Sequence, residues 1–187
     1  MESLFTVHAG ELLVGSQIEQ RFKNAQLWLP AKDTGVDILV TSAKRGRTVS
    51  LQVKFSHDFL ITHMKSIYQE GLVACGWWTH SRKKILASKA DLWVFALQAF
   101  DPKRTQYVLI SPKELHRRLS AIHGSGDRVH SYLWVTKKGK CWEARGLSKR
   151  DEILIANHAY VNPDRDFSSY LNTWDVLRRR LKLNRGL

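Results

Sequence analysis

Cysteine is nearly absent from this chain: Cys75 and Cys141 are the only two among 187 residues. Two thiols are too few for a disulfide framework or a structural zinc site, which excludes the small stapled secreted scaffolds and leads us to expect a reducing compartment. No stretch is apolar for the roughly 20 residues that a membrane span needs. The opening Met1-Glu2-Ser3-Leu4-Phe5-Thr6 lacks the basic start and long apolar run of a signal peptide, so none is expected. Internal repeats, low-complexity tracts and a convincing linker are also missing, and a chain of this length can bury one good core, so a single domain over 1–187 is the expectation. Acidic residues are scarce as well, with 17 Asp and Glu against 30 Lys and Arg and a net charge of +13.

That charge attracts polyanions. Nucleic acid is the first candidate, because each phosphate neutralised by Lys or Arg releases condensed counterions. A basic protein that is merely soluble, or one that binds acidic membranes, would share the same balance. Position within the sequence separates these readings better than composition does.

Two runs carry the most specific signal. In Gly35-Val36-Asp37-Ile38-Leu39-Val40 an acid interrupts an apolar strand pattern, and in Ser50-Leu51-Gln52-Val53-Lys54 a Gln-x-Lys does so. Ala43-Lys44-Arg45-Gly46-Arg47 lies between them, so a β-hairpin is expected. Alternation puts Gln52 and Lys54 on one face, about 6 to 7 Å apart, with Leu51, Val53 and Phe55 on the other. Asp37 then needs a cation, a hydrogen-bond donor or water to offset its desolvation.

Around these strands the pattern predicts a helix from Glu11 to Phe22, an extended piece from Gln26 to Leu29, and a helix within 57–71 on the spacing of Ile61, Met64, Ile67 and Tyr68. Ala90 to Leu97 is unbroken apolar sequence after Asp91, the mark of a strand buried on both faces. A strand from Gln106 to Ile110 leads into Ser111-Pro112-Lys113-Glu114, a helix start with Ser as cap, Pro at the first position and Glu placed to close a capping box. That helix should end at Gly124. A hairpin around Lys137-Lys138-Gly139, a short helix opened by Ser148, and a helix from Ser168 to Leu183 complete the reading. Packing is expected for at least five of the seven Trp residues.

A helix with Glu, a strand with Asp, a strand with Gln-x-Lys, then helix and strand: in this order the chain resembles the PD-(D/E)XK nuclease superfamily, the fold of many restriction endonucleases and Holliday-junction resolvases. The resemblance implies an α/β fold with a restriction-endonuclease-like core, a central mixed β-sheet flanked by helices, over about 1–124. Residues 125–187 would form a C-terminal extension with a hairpin and helices. Asp37, Gln52, Lys54 and Glu11 occupy the catalytic positions. Val36 stands where many members have Pro, and Gln52 where they have a second acid. The implied activity is a metal-dependent DNA endonuclease, with a junction- or flap-selective nuclease and an inactive nucleic-acid-binding protein as alternatives.

Asp37, Gln52, Glu11 and the carbonyl of Val53 would then hold Mg2+, for which Mn2+ can substitute, since hard oxygen donors suit that ion. Lys54 would position the attacking water. Glu19 is the second choice of helix acid. His8, three residues before Glu11, could reach the same phosphate but reads as a surface residue near the helix start, His57 and His63 form no convincing zinc spacing, and Asp91 reads as a structural hydrogen-bonding residue. For nucleic acid, Lys44, Arg45 and Arg47 in the hairpin and Arg82, Lys83 and Lys84 further on are the expected backbone contacts, with Lys137, Lys138, Lys140 and Arg178 to Arg180 as further basic clusters. DNA is the expected partner, RNA fits the same chemistry, and a homodimer would supply two sites for two strands. A cytoplasmic or nucleoid-associated location follows from the same reading.

Overall fold

A computed structural model describes residues 9–31, 35–42, 46–57, 65–99 and 105–183. Helix α1 (Ala9–Arg21) is followed by strands β1 (Ala25–Trp28), β2 (Ile38–Ser42) and β3 (Thr48–His57), which form an antiparallel meander. Helix α2 (Ser66–Gly71), strand β4 (Leu72–Ser81) and helix α3 (Arg82–Leu86) come next, and the chain returns as β5 (Leu92–Gln98), parallel to β3. Strand β6 (Gln106–Ile110) then adds antiparallel to β5, so the five-stranded sheet runs β1-β2-β3-β5-β6. Helix α4 (Pro112–His123), strands β7 (Arg128–Thr136) and β8 (Cys141–Glu143), and helices α5 (Lys149–Ala156) and α6 (Asp175–Leu181) complete the chain.

The second sheet, β4-β7-β8, is antiparallel and lies over one face of the first. Strand β5 explains why. Leu92, Val94 and Ala96 point into a core with Val14 and Ile18 of α1 and Trp174, Leu177 and Leu181 near or on α6. Trp93, Phe95 and Leu97 point the other way, against Ala74 and Trp78 of β4 and Leu133 and Val135 of β7. An apolar run with no polar face needs a cover on each side, and each buried aliphatic contributes about 1.5 to 3 kcal/mol. A third core forms where α2 and α5 cover the outer face of the small sheet, with Tyr68, Trp134, Trp142 and Ile155.

The α/β architecture with a mixed sheet flanked by helices agrees with expectation, and so do several details. Ser111 caps α4 through its hydroxyl, Pro112 starts it, and it ends before Gly124. Ser148 caps α5 in the same way. Five of the Trp residues, 78, 93, 134, 142 and 174, are buried, while Trp28 and Trp77 are exposed. Among the described residues no helix is long and apolar enough to cross a membrane.

Three expectations need correction. Of the helix foreseen within 57–71, Ser66–Gly71 is helical, and His57 belongs instead to β3, which keeps pairing with β5 through Ser56 and His57, opposite Leu97 and Gln98; Ile61 and Met64 lie outside the described residues. The helix foreseen over 168–183 is interrupted. A tight turn, Ser168–Tyr170, precedes Asn172, whose backbone has φ of +52° and whose side-chain oxygen accepts from the Tyr107 N–H at 3.0 Å. Bonding to the β6 edge competes with helix continuation there, and α6 starts afresh. Finally, Glu114 does not close the capping box on Ser111. Its carboxylate accepts from Arg117, Arg118 and the Tyr170 hydroxyl, which hold it down to about pKa 2 against the cost of its partial burial.

Candidate active site

The strand β3 is longer than its neighbour β2. The register pairs Ile38 with Leu51, so beyond that point β3 runs on with Gln52, Val53, Lys54 and Phe55 past the start of β2. Asp37 stands at this divergence. Its N–H donates to the Leu51 carbonyl at 2.8 Å, and its Oδ2 accepts from the Val53 N–H at 2.6 Å. The carboxylate thus takes the place that a β2 carbonyl would hold in the ladder, which is the donor its desolvation demanded.

The regular ladder ends with Ile38 opposite Leu51, and Asp37, bonded to the Leu51 carbonyl rather than to Gln52, lies just outside it, beside the stretch of β3 that carries Gln52 and Lys54. Gly35, at φ of +78°, turns the chain toward Asp37, a backbone conformation that side chains other than Gly rarely adopt. A cleft of about 400 Å³ opens at this point, lined by Gly10, Glu11, Asp37, Gln52, Val53, Lys54, Phe55 and Trp78. The four residues expected to be catalytic therefore line one cleft. Glu11 reaches it because its neighbour has no side chain: a Cβ on Gly10 would lie 2.6 Å from the Phe55 Cβ, so only Gly lets α1 approach β3 this closely.

The donor chemistry here is two carboxylates, one amide and a backbone carbonyl, all hard oxygen ligands of the kind magnesium takes together with water and phosphate. Among the described residues no three His, Cys, Asp or Glu side chains gather as a metal cluster, so any ion at this cleft would depend on the amide, the carbonyl and solvent to complete its shell. Lys54 crosses the face of Trp93, its Nζ 5.3 Å from the ring centroid. Trp78 closes the cleft from β4, its indole N–H donating to the Phe55 carbonyl at 3.1 Å.

Other candidates separate from this group. Glu19 faces an apolar groove with Leu12, Leu27 and Leu29, which Glu11 also touches, and does not line the cleft. His57, at the exposed end of β3, packs edge-on against Phe55. His8, His63, Lys44 and Arg45 lie outside the described residues. Arg47 is exposed at the opposite end of β3, five residues from Gln52 or about 17 Å by strand rise, so its backbone stands away from the cleft. Asp91 joins strands: its Oδ2 accepts from the Ser50 N–H and hydroxyl, each at 2.9 Å, and its Oδ1 meets Arg180.

Arg82 was expected to contact nucleic acid and does not have the exposure to do so. It is 5% exposed, and its guanidinium donates to the Gly126 and Leu119 carbonyls and the Ser120 hydroxyl, tying α3 to α4. Three protein acceptors for one buried cation make it a structural clamp. Lys83 and Lys84 on the same helix are exposed.

Pattern reading did not foresee Gly10, Phe55 or Trp78 as parts of the site. Gly10 carried a signal, a small residue beside the helix acid. Trp78 carried none, because β4 has a bulge near Leu72 and Ala74 and an irregular run, Cys75-Gly76-Trp77-Trp78, that hides its alternation. No protein-family model, no curated protein and no solved structure matches this chain.

Proposed function

We propose that the protein is a magnesium-dependent DNA endonuclease of the PD-(D/E)XK type, a Gln-x-Lys variant. The observation that carries this reading is the convergence of Glu11, Asp37, Gln52, Val53 and Lys54 on one cleft. They come from α1, from β3 and from the residue just before β2, and are separated by up to 43 positions in sequence. An antiparallel meander followed by a strand parallel to its third member supports the same assignment.

Asp37, Glu11, the Gln52 amide oxygen and the Val53 carbonyl would hold the ion. When bound, magnesium neutralises charge on the phosphoryl oxygens and lowers the pKa of water. Asp37 is held at the cleft by the Val53 N–H, which fixes the position of its carboxylate beside Gln52 and Lys54. Lys54 orients the attacking water and offsets charge developing at phosphorus. The water oxygen bonds to phosphorus, the bridging P–O bond breaks, the leaving oxygen takes up a proton, and the proton lost by the water passes to solvent.

The test is direct. Purified protein is incubated with supercoiled plasmid, linear duplex, branched DNA and RNA, with magnesium or EDTA. The expected result is metal-dependent nicking that disappears in Lys54→Ala while binding persists. Binding without cutting of any substrate would replace this reading with that of a non-catalytic nucleic-acid-binding protein, and cutting confined to branched DNA would select the junction or flap nuclease.

A further inference from the structure

Gln52 and Lys54 face a second cleft as well as the first. It measures about 520 Å³ and is lined also by Gly35, Thr79, His80, Ser81, Lys84, Ser88, Lys89 and Trp93. Its walls are β3 and β5 on one side and the end of β4 with α3 and the following loop on the other. Three lysines, Lys54, Lys84 and Lys89, border it together with the hydroxyl residues Thr79, Ser81 and Ser88. Among the described residues none of these three lysines has an ion-pair partner. Asp91, two residues beyond Lys89, is committed to Ser50 and Arg180.

His80 adds no charge here. Its Nε2 lies 2.9 Å from the Ser131 hydroxyl, and burial, with Lys54 and His130 nearby, pushes its pKa down to about 4. A cluster of ammonium groups with no ion-pair partner among the described residues, in a polar, hydroxyl-bearing cleft, is a site for an anion. Because Gln52 and Lys54 belong to both clefts, that anion lies beside whatever the Asp37 cleft holds.

We infer that this cleft receives a backbone phosphate of a nucleic-acid strand, held by Lys84 and Lys89, next to the phosphodiester placed at Asp37. The adjacency to the cut bond rests on the endonuclease reading; the binding of a strand phosphate does not. Such contacts fix the position and direction of the strand without reading its bases. They also assign the role expected of the basic patch to Lys84, from which Arg82 is excluded by burial, and to Lys89, which no motif marks.

The experiment uses the full chain and a fluorescent oligonucleotide, read by anisotropy in EDTA over a salt series, with Lys84→Gln/Lys89→Gln compared against Lys23→Gln/Lys113→Gln, which removes the same charge from exposed positions elsewhere. The cleft variant should bind about tenfold or more weakly at low salt, with a salt slope shallower by about 1 to 2, while the control changes less than about twofold. Replacing single phosphates by neutral methylphosphonates should weaken wild type at one linkage and leave the cleft variant indifferent to that linkage. Equal weakening by both double variants, or no dependence on any single linkage, would overturn the inference. In magnesium, wild-type cutting with normal binding and cutting by the cleft variant would overturn it while sparing the endonuclease reading. Lysine-dependent binding with no cutting would do the reverse.

Discussion

Glu143 and Asp37 both take hydrogen bonds from strand backbone, and their surroundings make them different things. Glu143 of β8 is fully buried; its Oε1 accepts from the Tyr132 and Arg145 N–H groups at 3.0 and 3.1 Å, and its Oε2 from Arg165 at 2.9 Å, with His123 Nε2 at 3.1 Å. Asp37 is half-buried, accepts from the Val53 N–H, and borders a cleft with a lysine and an amide. A buried charge encircled by donors has no capacity left for a ligand, and its work is to hold β7, β8 and the segment around Arg165 in register. An acid anchored on one side and facing a cleft on the other has the form of a reactive site.

That contrast can be broken from both ends. Asp37→Asn keeps an oxygen for the Val53 N–H and should change unfolding free energy by less than about 1 kcal/mol, yet lower the rate of metal-dependent cleavage by about 10³-fold, roughly 4 kcal/mol of barrier. A plasmid-nicking time course beside a urea melt measures both. Glu143→Gln should behave in the opposite way. It removes the buried carboxylate's charge beside the partly buried Arg165 and costs about 2 to 4 kcal/mol of stability in the same melt, while the folded fraction cuts at the normal rate.

A pH series sharpens the comparison at the boundary between the two sheets. His80 is held near pKa 4 in the folded protein, against 6.5 in the unfolded chain, because burial disfavours its charged form. The unfolded chain therefore binds more protons between these values. The stability linked to the neutral ring is complete above pH 6.5 and is lost as pH falls toward 4, on the order of 3 kcal/mol in total. His80→Gln should flatten that part of a pH-stability curve, and an unchanged slope would assign the loss to other groups.

The smallest effect is expected at Glu11. Removing its charge in Glu11→Gln should weaken magnesium activation about tenfold and shift the metal titration without lowering the rate at saturating metal as far as Asp37→Asn does. An unmoved titration would take Glu11 out of the site. Gly10→Ala serves as the structural counterpart, since its methyl would press on Phe55 and displace α1 from β3.

How much of this could be read from residues alone depended on whether the signal was local. The caps at Ser111 and Ser148, the alternation that sets Gln52 and Lys54 on one face, and the doubly buried β5 all follow from interactions within a few positions of the residue concerned. The C-terminal helix was misread for the complementary reason. Tyr170, Leu171, Trp174, Leu177 and Leu181 keep helical spacing, but the pull on Asn172 comes from Tyr107, 65 residues away. Arg82 looked like a surface cation because nothing nearby in sequence announces Gly126, Leu119 and Ser120 as its acceptors.

The amino-acid order by itself determined the strong positive charge, the strand-turn-strand frame around Asp37 and Gln-x-Lys, and the apolar faces that had to be covered, because periodicity and capping act over one or two turns of chain. Only the tertiary structure decided that β3 outruns β2, that Gly10 brings Glu11 to the resulting cleft, and that Lys84 and Lys89 border a second one with Lys54. Those facts depend on which surfaces exclude water together, and that is a property of the packed chain.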